Sequence, residues 1–245
     1  MTRVDLQPSY LLHSYAYRDT SLIVELLTRE HGRMGLVARG VRGPKSRWRP
    51  LLRPFGPLLC SWMIRGELGQ LTGVESGAVL PALQGDRLYS AYYMNELLLR
   101  LLRRQDSCPG VFDQYALAIG RLAAASEPDT TLRMFEKHLL QELGFGLVLE
   151  HEAGSDAPVR SDRWYRYDVE AGPRPSTGRG ESDIPGSCLL ALAEEAFSTG
   201  EQREYAKRLL RRVLAHHLGG EPLRSRRVMS ELLTKRSSAE RKESE

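Results

Sequence analysis

The stretch Ser21-Leu22-Ile23-Val24-Glu25-Leu26-Leu27-Thr28-Arg29-Glu30-His31-Gly32-Arg33-Met34-Gly35-Leu36-Val37-Ala38 decides the fold class. Leu22, Val24 and Leu26 alternate onto one face while Ile23 and Leu27 take the other, the period of two that a strand requires. Glu30-His31-Gly32-Arg33 places a glycine where the chain must reverse, and Met34 to Ala38 resumes the extended pattern. Upstream, Tyr10 to Tyr15 is apolar and aromatic. Downstream, Leu58 to Ile64 and Gln70 to Val79 read as two more strands around a turn at Gly66–Gly69. About five short strands with glycine turns and no long helix predict a small closed barrel over residues 1–80. An OB-fold fits first and an SH3-like barrel second.

Pro81 marks a boundary, after which the apolar period changes from two to about 3.6. Leu88, Ala91, Tyr92, Asn95, Leu98, Leu99 and Leu102 line one face of a helix ending near Arg104. A second helix follows Pro109 and runs from Phe112 to Ala125. A third, capped by Asp129 or Thr130, carries the stripe Leu132, Phe135, Leu139 and Leu143 and stops at Gly144. Two more span Cys188 to Phe197 and Glu201 to Leu218. Between the third helix and these two lies an irregular insertion, about 150–185, rich in Gly, Pro, Ser and Asp, in which only Trp164 to Val169 reads as a strand. The organisation expected is thus α+β and multi-domain. It comprises a barrel at 1–80, a helical domain at 83–234 and a disordered polar tail at 235–245.

Composition narrows the function classes. The 245 residues are 41% hydrophobic and 27% charged, enough for a core and a soluble surface. No run approaches the roughly 18–20 apolar residues of a membrane span, and the first 30 residues lack the pattern of a secretory signal, so the cytoplasm is expected. Cys60, Cys108 and Cys188 are far apart with no CxxC pair, which argues against a disulfide framework or a four-cysteine metal site. No phosphate loop of the GxxxxGK[ST] type, no HExxH and no GxSxG occurs, so no catalytic residue and no cofactor is assigned.

Charge is uneven. Residues 1–80 hold eleven Lys/Arg against six Asp/Glu, in a chain whose net charge is +4. From Arg39 to Arg53 there are six cations and no acid. Arg39, Arg42, Lys45, Arg47 and Arg49 suit phosphates, whose neutralisation releases counterions. The glycines let backbone amides approach, and Trp48 between Arg47 and Arg49 offers a stacking face. Tyr15 and Tyr17 alternate as stacking aromatics would, although such residues more often fill the barrel. Arg203, Lys207, Arg208, Arg211 and Arg212 give the last helix a basic face. His216 and His217 are adjacent, so on a helix they diverge and cannot chelate one metal together.

The sequence also resembles the RecO family of bacterial recombination mediators. Tyr17-Arg18-Asp19-Thr20-Ser21 resembles its Y-R-E-x-S segment, and Thr28-Arg29-Glu30-His31-Gly32 its T-x-x-x-G turn. Ala38-Arg39-Gly40-Val41-Arg42, Lys45-Ser46-Arg47 and Leu52-Arg53-Pro54-Phe55 resemble its basic loop. Tyr92 to Leu97, Phe135-Glu136, Glu142 to Phe145 and Leu223-Arg224-Ser225-Arg226 are similar to its helical part. The resemblance implies an OB-fold, a helical domain and a zinc-finger-like insertion. It further implies binding of single- and double-stranded DNA, strand annealing, and partnership with RecR and the acidic C-terminal tail of the single-strand-binding protein SSB. Many members place four cysteines in the insertion, whereas here Leu143-Gly144-Phe145 leads to Glu150-His151-Glu152 with no cysteine before Cys188, so no zinc is expected. For the tail, the helical domain offers Phe135 and Leu139 as an apolar stripe with Arg133, Lys137 and Arg208 as rim cations. Two rival readings are an OB-type single-strand adaptor without annealing activity and, third, a nucleic-acid-modifying enzyme with an OB appendage.

Overall fold

The computed structural model describes residues 2–64, 68–177, 180, 182–225 and 227–228. The expected turn at Gly66–Gly69 falls partly outside these residues, and the tail at 235–245 lies wholly outside them. Five strands come first: β1 (Thr2–Tyr17), β2 (Ser21–Thr28), β3 (Gly32–Ala38), β4 (Pro57–Ile64) and β5 (Gly69–Ser76). They close in the order β1-β2-β3-β5-β4. β1 reaches both neighbours because it is 16 residues long. Its second half pairs with β2 from Ser9 to Tyr17, and its first half with β4 from Thr2 to Tyr10. Register shifts at Val4/Gln7 and Leu11/His13 bend it between the two. A short parallel pairing, Leu36 with Gly69 and Val37 with Gln70, closes the seam between β3 and β5. This is the OB-fold rather than an SH3-like barrel. At the seam a Cβ on Gly69 would stand 2.7 Å from Leu36 Cδ2, so glycine permits the approach.

Val24, Leu26, Met34, Leu36, Leu71 and Trp62 fill the barrel, as the alternation in β2 requires. The opposite face of β2 is not left to water, for Leu27 is buried as well. The cover comes from α1 (Gly85–Leu101) and α2 (Pro109–Ala123), which pack on β1 and β2. Tyr10 leaves the barrel to meet Phe112 and Tyr115, ring centroids 5.5 and 5.1 Å away. The join is completed by a buried polar chain: Asn95 Nδ2 donates to the Leu12 carbonyl at 2.8 Å, and the Tyr115 hydroxyl donates to Asn95 Oδ1 at 2.7 Å. Buried Glu25 on β2 is met by Arg33 at 3.6 Å and by Arg104 beyond α1. Because α1 packs on two sides, its buried face is wider than one stripe. Tyr93, Met94 and Leu97 are buried, whereas Tyr92, expected in the stripe, is 46% exposed.

The described residues divide into two compact units, one of residues up to 126 with those from 222 onward, the other of residues 127–221. In the first, Arg224 N and Ser225 N both donate to the Glu96 carboxylate at 2.8 Å, which returns the chain to α1. Burial pushes the Glu96 carboxyl up, but these bonds and that of the Ser225 hydroxyl outweigh it and the pKa falls. The second unit holds α3 (Pro128–Glu142), β6 (Trp164–Asp168), β7 (Gly172–Ser176), β8 (Asp183–Pro185), α4 (Gly186–Ala193) and α5 (Gly200–His217). The cap of α3 is Glu127, whose carboxylate accepts from Asp129 N and Thr130 N, instead of Asp129 or Thr130 themselves. Thr199 and Gln202 form a capping box on α5. No helix among the described residues is long and apolar enough to cross a membrane.

The insertion is more ordered than its composition predicts. β7-β6-β8 form a three-stranded sheet, with Tyr165 and Tyr167 buried beneath it. Pro173 and Pro175 are tolerated in β7 because it is an edge strand and they lie two residues apart, so both face away from β6. The outward Pro173 carbonyl accepts from Ala153 N at 2.7 Å. Polar groups hold the sheet: Tyr165 donates to Glu152 at 3.1 Å, and buried Asp183 accepts from Ser176, Gly180 N and Arg166. Among the described residues no cluster of three His, Cys, Asp or Glu is arranged to hold a metal ion.

Asn95→Ala should leave the Leu12 carbonyl buried without its partner and break the bond from the Tyr115 hydroxyl. A loss of about 1–3 kcal/mol in urea unfolding is expected. A loss below about 0.5 kcal/mol, the range of an ordinary surface change, would show that this chain of bonds does not join barrel to helices.

Candidate nucleic-acid interface

The segment between β3 and β4 explains its own composition. Val41 is buried in the barrel core, and Trp48, Leu51 and Leu52 pack against that core while partly exposed. Arg39, Arg42, Lys45, Arg47, Arg49 and Arg53 are all exposed. Apolar residues thus seat the loop on the barrel, and the cations are what it presents to solvent. Short turns keep it there: Gly43 N donates to Gly40 O, Ser46 N to Gly43 O, and Leu51 N and Leu52 N to Trp48 O. Gly40 takes φ +69°, where glycine avoids a Cβ clash. Arg42 N donates to the Thr20 carbonyl at 2.8 Å, tying the loop to the β1–β2 turn. Arg39, Lys45, Arg47, Arg49 and Arg53 enter no ion pair among the described residues.

Beside the loop, a groove of about 520 Å³ crosses the closing seam of the barrel. Tyr17, Arg18, Ser21, Arg39, Gly40 and Gln70 line it, so the β1–β2 turn, the start of the loop and the start of β5 converge there. On an OB barrel the β2–β3 face and the β1–β2 and β4–β5 loops meet nucleic acids and sugars. The Arg18 guanidinium lies 5.2 Å from the Tyr17 ring centroid, and Arg18 adopts φ +50° in the tight turn. Sequence reasoning weighed Tyr15 and Tyr17 alike, but only Tyr17 lines this groove. Tyr15 is 49% exposed beside His13, their rings 4.5 Å apart. Arg18 and Gln70 were not predicted as contacts. The signal for Arg18 was its place beside Asp19-Thr20 in the turn, and Gln70 had none.

Trp48 is only half available. Part of the ring packs on the core with Leu51 and Leu52, so a base could stack on the remainder alone.

In the second unit Phe135 and Leu139 are core, and Arg133 is 3% exposed and donates to buried Glu136 at 2.7 Å. A stripe that closes a core cannot double as an open pocket, which corrects the expected docking set. Lys137 is half-buried, donating to the Ala193 carbonyl at 2.7 Å and pairing with Glu195 at 2.9 Å. Arg208 is exposed, 4.3 Å from the Tyr205 ring centroid. Much of the basic face of α5 is engaged: Arg212 donates to the Tyr167 carbonyl, and Lys207 faces Asp129. His217 stacks on Phe145 at 3.9 Å while His216 meets it edge-on.

The barrel, its cationic loop and the helices after it define an OB-fold protein with an appended helical part. Residues 1–78 match the family described as Recombination protein O N terminal, and residues 82–227 match Recombination protein O C terminal. The chain belongs to the RecO family. It is 46% identical over 232 residues to the DNA repair protein RecO of Nitrosococcus oceani, covering 94% of each chain. With that of Methylococcus capsulatus it shares 44% over 227 residues, 93% of each, and with that of an Azoarcus species 44% over 236 residues, 94% of this chain and 97% of the relative.

If five of the loop cations meet phosphates, log affinity for single strands should fall against log salt with a slope of roughly −3 to −4. Replacing Arg42, Lys45 and Arg47 together with Ala should flatten it by about 2. An unchanged slope would place the strand elsewhere.

Proposed function

We propose that this chain is a DNA-binding recombination mediator acting in DNA repair, which anneals complementary single strands and helps load recombinase onto DNA coated by SSB. One observation carries the reading: six cations sit together on a loop clamped to an OB barrel, none with an ion-pair partner among the described residues. Repulsion between two polyanionic strands is the obstacle to annealing. A cationic surface lowers it by exchanging condensed counterions for fixed charge, and base pairing then proceeds unaided. No bond is made or broken by the protein, and no catalytic residue or cofactor is needed.

Residues 1–80 are the DNA-binding part in this reading. The strand lies along the groove with Arg18, Arg39 and Gln70 beside it and Tyr17 as a stacking face, and crosses Arg42, Lys45, Arg47 and Arg49. The same cations serve duplex phosphates. The names of the relatives support a role in DNA repair, the chemistry of the loop supports this placement, and both suit a cytoplasmic protein working at the nucleoid. Residues 83–234 serve partners, RecR and the SSB tail, with exposed Arg208 as the tail's reachable cation.

With complementary oligonucleotides, the protein should speed annealing without ATP or Mg²⁺, and the Arg42/Lys45/Arg47→Ala variant should lose most of that effect. Tight binding with no acceleration would instead favour a single-strand adaptor. For the tail, the full chain is titrated with an acidic peptide ending in a free apolar residue and with the same peptide lacking that residue. The truncated peptide should bind roughly tenfold more weakly, and Arg208→Ala should weaken both peptides. Equal affinity for the two peptides overturns the docking.

A further inference from the structure

A second groove, of about 410 Å³, lies within the first unit between the end of the cationic loop, the segment that follows β5, and the helices α1 and α2. Its chemistry is the reverse of the DNA groove. Leu51, Phe55, Val79, Leu80, Leu88 and Tyr92 give it an apolar lining, and Arg53 is its one charged lining residue. Val79 is 91% exposed. Phe55 is held at φ +72°, a conformation side chains rarely adopt, and its ring meets Tyr92 edge-on at 4.9 Å.

The backbone adds an independent observation. Ala78 to Ala82 runs without helix or strand between β5 and α1, and among the described residues the amides of Ala78, Val79, Leu80 and Ala82 donate to no backbone carbonyl. A strip of unpaired main chain beside apolar pockets is what an added strand requires. Main-chain bonds supply affinity, and pockets that take every second side chain supply specificity. Charge decides what kind of strand. Arg53 in the lining is exposed and enters no ion pair among the described residues, which favours an acidic ligand. A nucleic-acid strand fits poorly, because one lining cation cannot neutralise successive phosphates and few side chains here can bond base edges.

We propose that this groove docks an extended segment of a partner protein, alternating apolar and acidic residues, laid alongside Ala78 to Ala82. The proposal does not rest on the DNA reading of the barrel. Its test uses the full chain and a peptide of alternating valine and glutamate blocked at both ends, so that no terminal carboxylate takes part. The same peptide with lysine for glutamate and an oligothymidylate are the controls. The glutamate peptide should bind and the lysine peptide should not. Val79→Asp, at a site too exposed to disturb folding, should weaken the glutamate peptide roughly tenfold, whereas Val79→Lys should bind it at least as well as the parent. Neither change should alter affinity for oligothymidylate. Equal binding of the two peptides, no response to Val79→Asp, or a loss of oligothymidylate binding in that variant would each overturn the proposal, the last by making the groove part of the DNA path.

Discussion

Closing a five-stranded sheet gives every strand two neighbours, and in this protein β1 meets its two with different halves. Its first half pairs with β4 and its second with β2, and the two register shifts let one chain turn between those directions. The position of the candidate site follows from that closure. The β1–β2 turn, the β3–β4 loop and the start of β5 are brought to one seam because the barrel shuts there, so cations that are distant in sequence come to share a groove. The outer face left by closure is covered by α1 and α2, and there Asn95 satisfies a β1 carbonyl that would otherwise be buried unpaired.

The barrel was legible because a strand with one filled face writes period two into its sequence, and β2 does so from Leu22 to Leu26. The helices were legible in existence and less so in orientation. One apolar stripe predicts one buried face, but α1 is packed on two sides, so Tyr93 and Tyr92 exchange the roles that periodicity gives them. Capping was misplaced for a related reason. Asp and Thr are the usual cap residues, yet the side chain that reaches the free amides at the start of α3 is Glu127, which precedes Pro128. The insertion concealed its sheet behind two prolines, a composition that reads as loop until the strand is known to lie at an edge.

The candidate site was legible as charge and obscure as geometry. Six cations without an acid marked the loop, but nothing in the sequence told which apolar residues within it turn inward, and Trp48 proves to face both ways. The helical stripe shows the opposite failure. Phe135 and Leu139 have the spacing of a groove lining and also that of a core, and spacing cannot tell them apart. The buried pairing of Arg133 with Glu136 does, since a cation turned inward toward a carboxylate is not at a rim.

The seating of the loop has a kinetic consequence. Val41 and the inward part of Trp48, with the turns around Gly40 and Gly43, fix the path of a segment that free in solution would sample many conformations. That ordering entropy is lost when the protein folds, before any ligand arrives. Encounter with a polyanion then has little local folding to wait for. Its rate belongs to the regime set by diffusion and long-range attraction, and its heat-capacity change should be that of a pre-formed surface rather than of a segment folding onto its target.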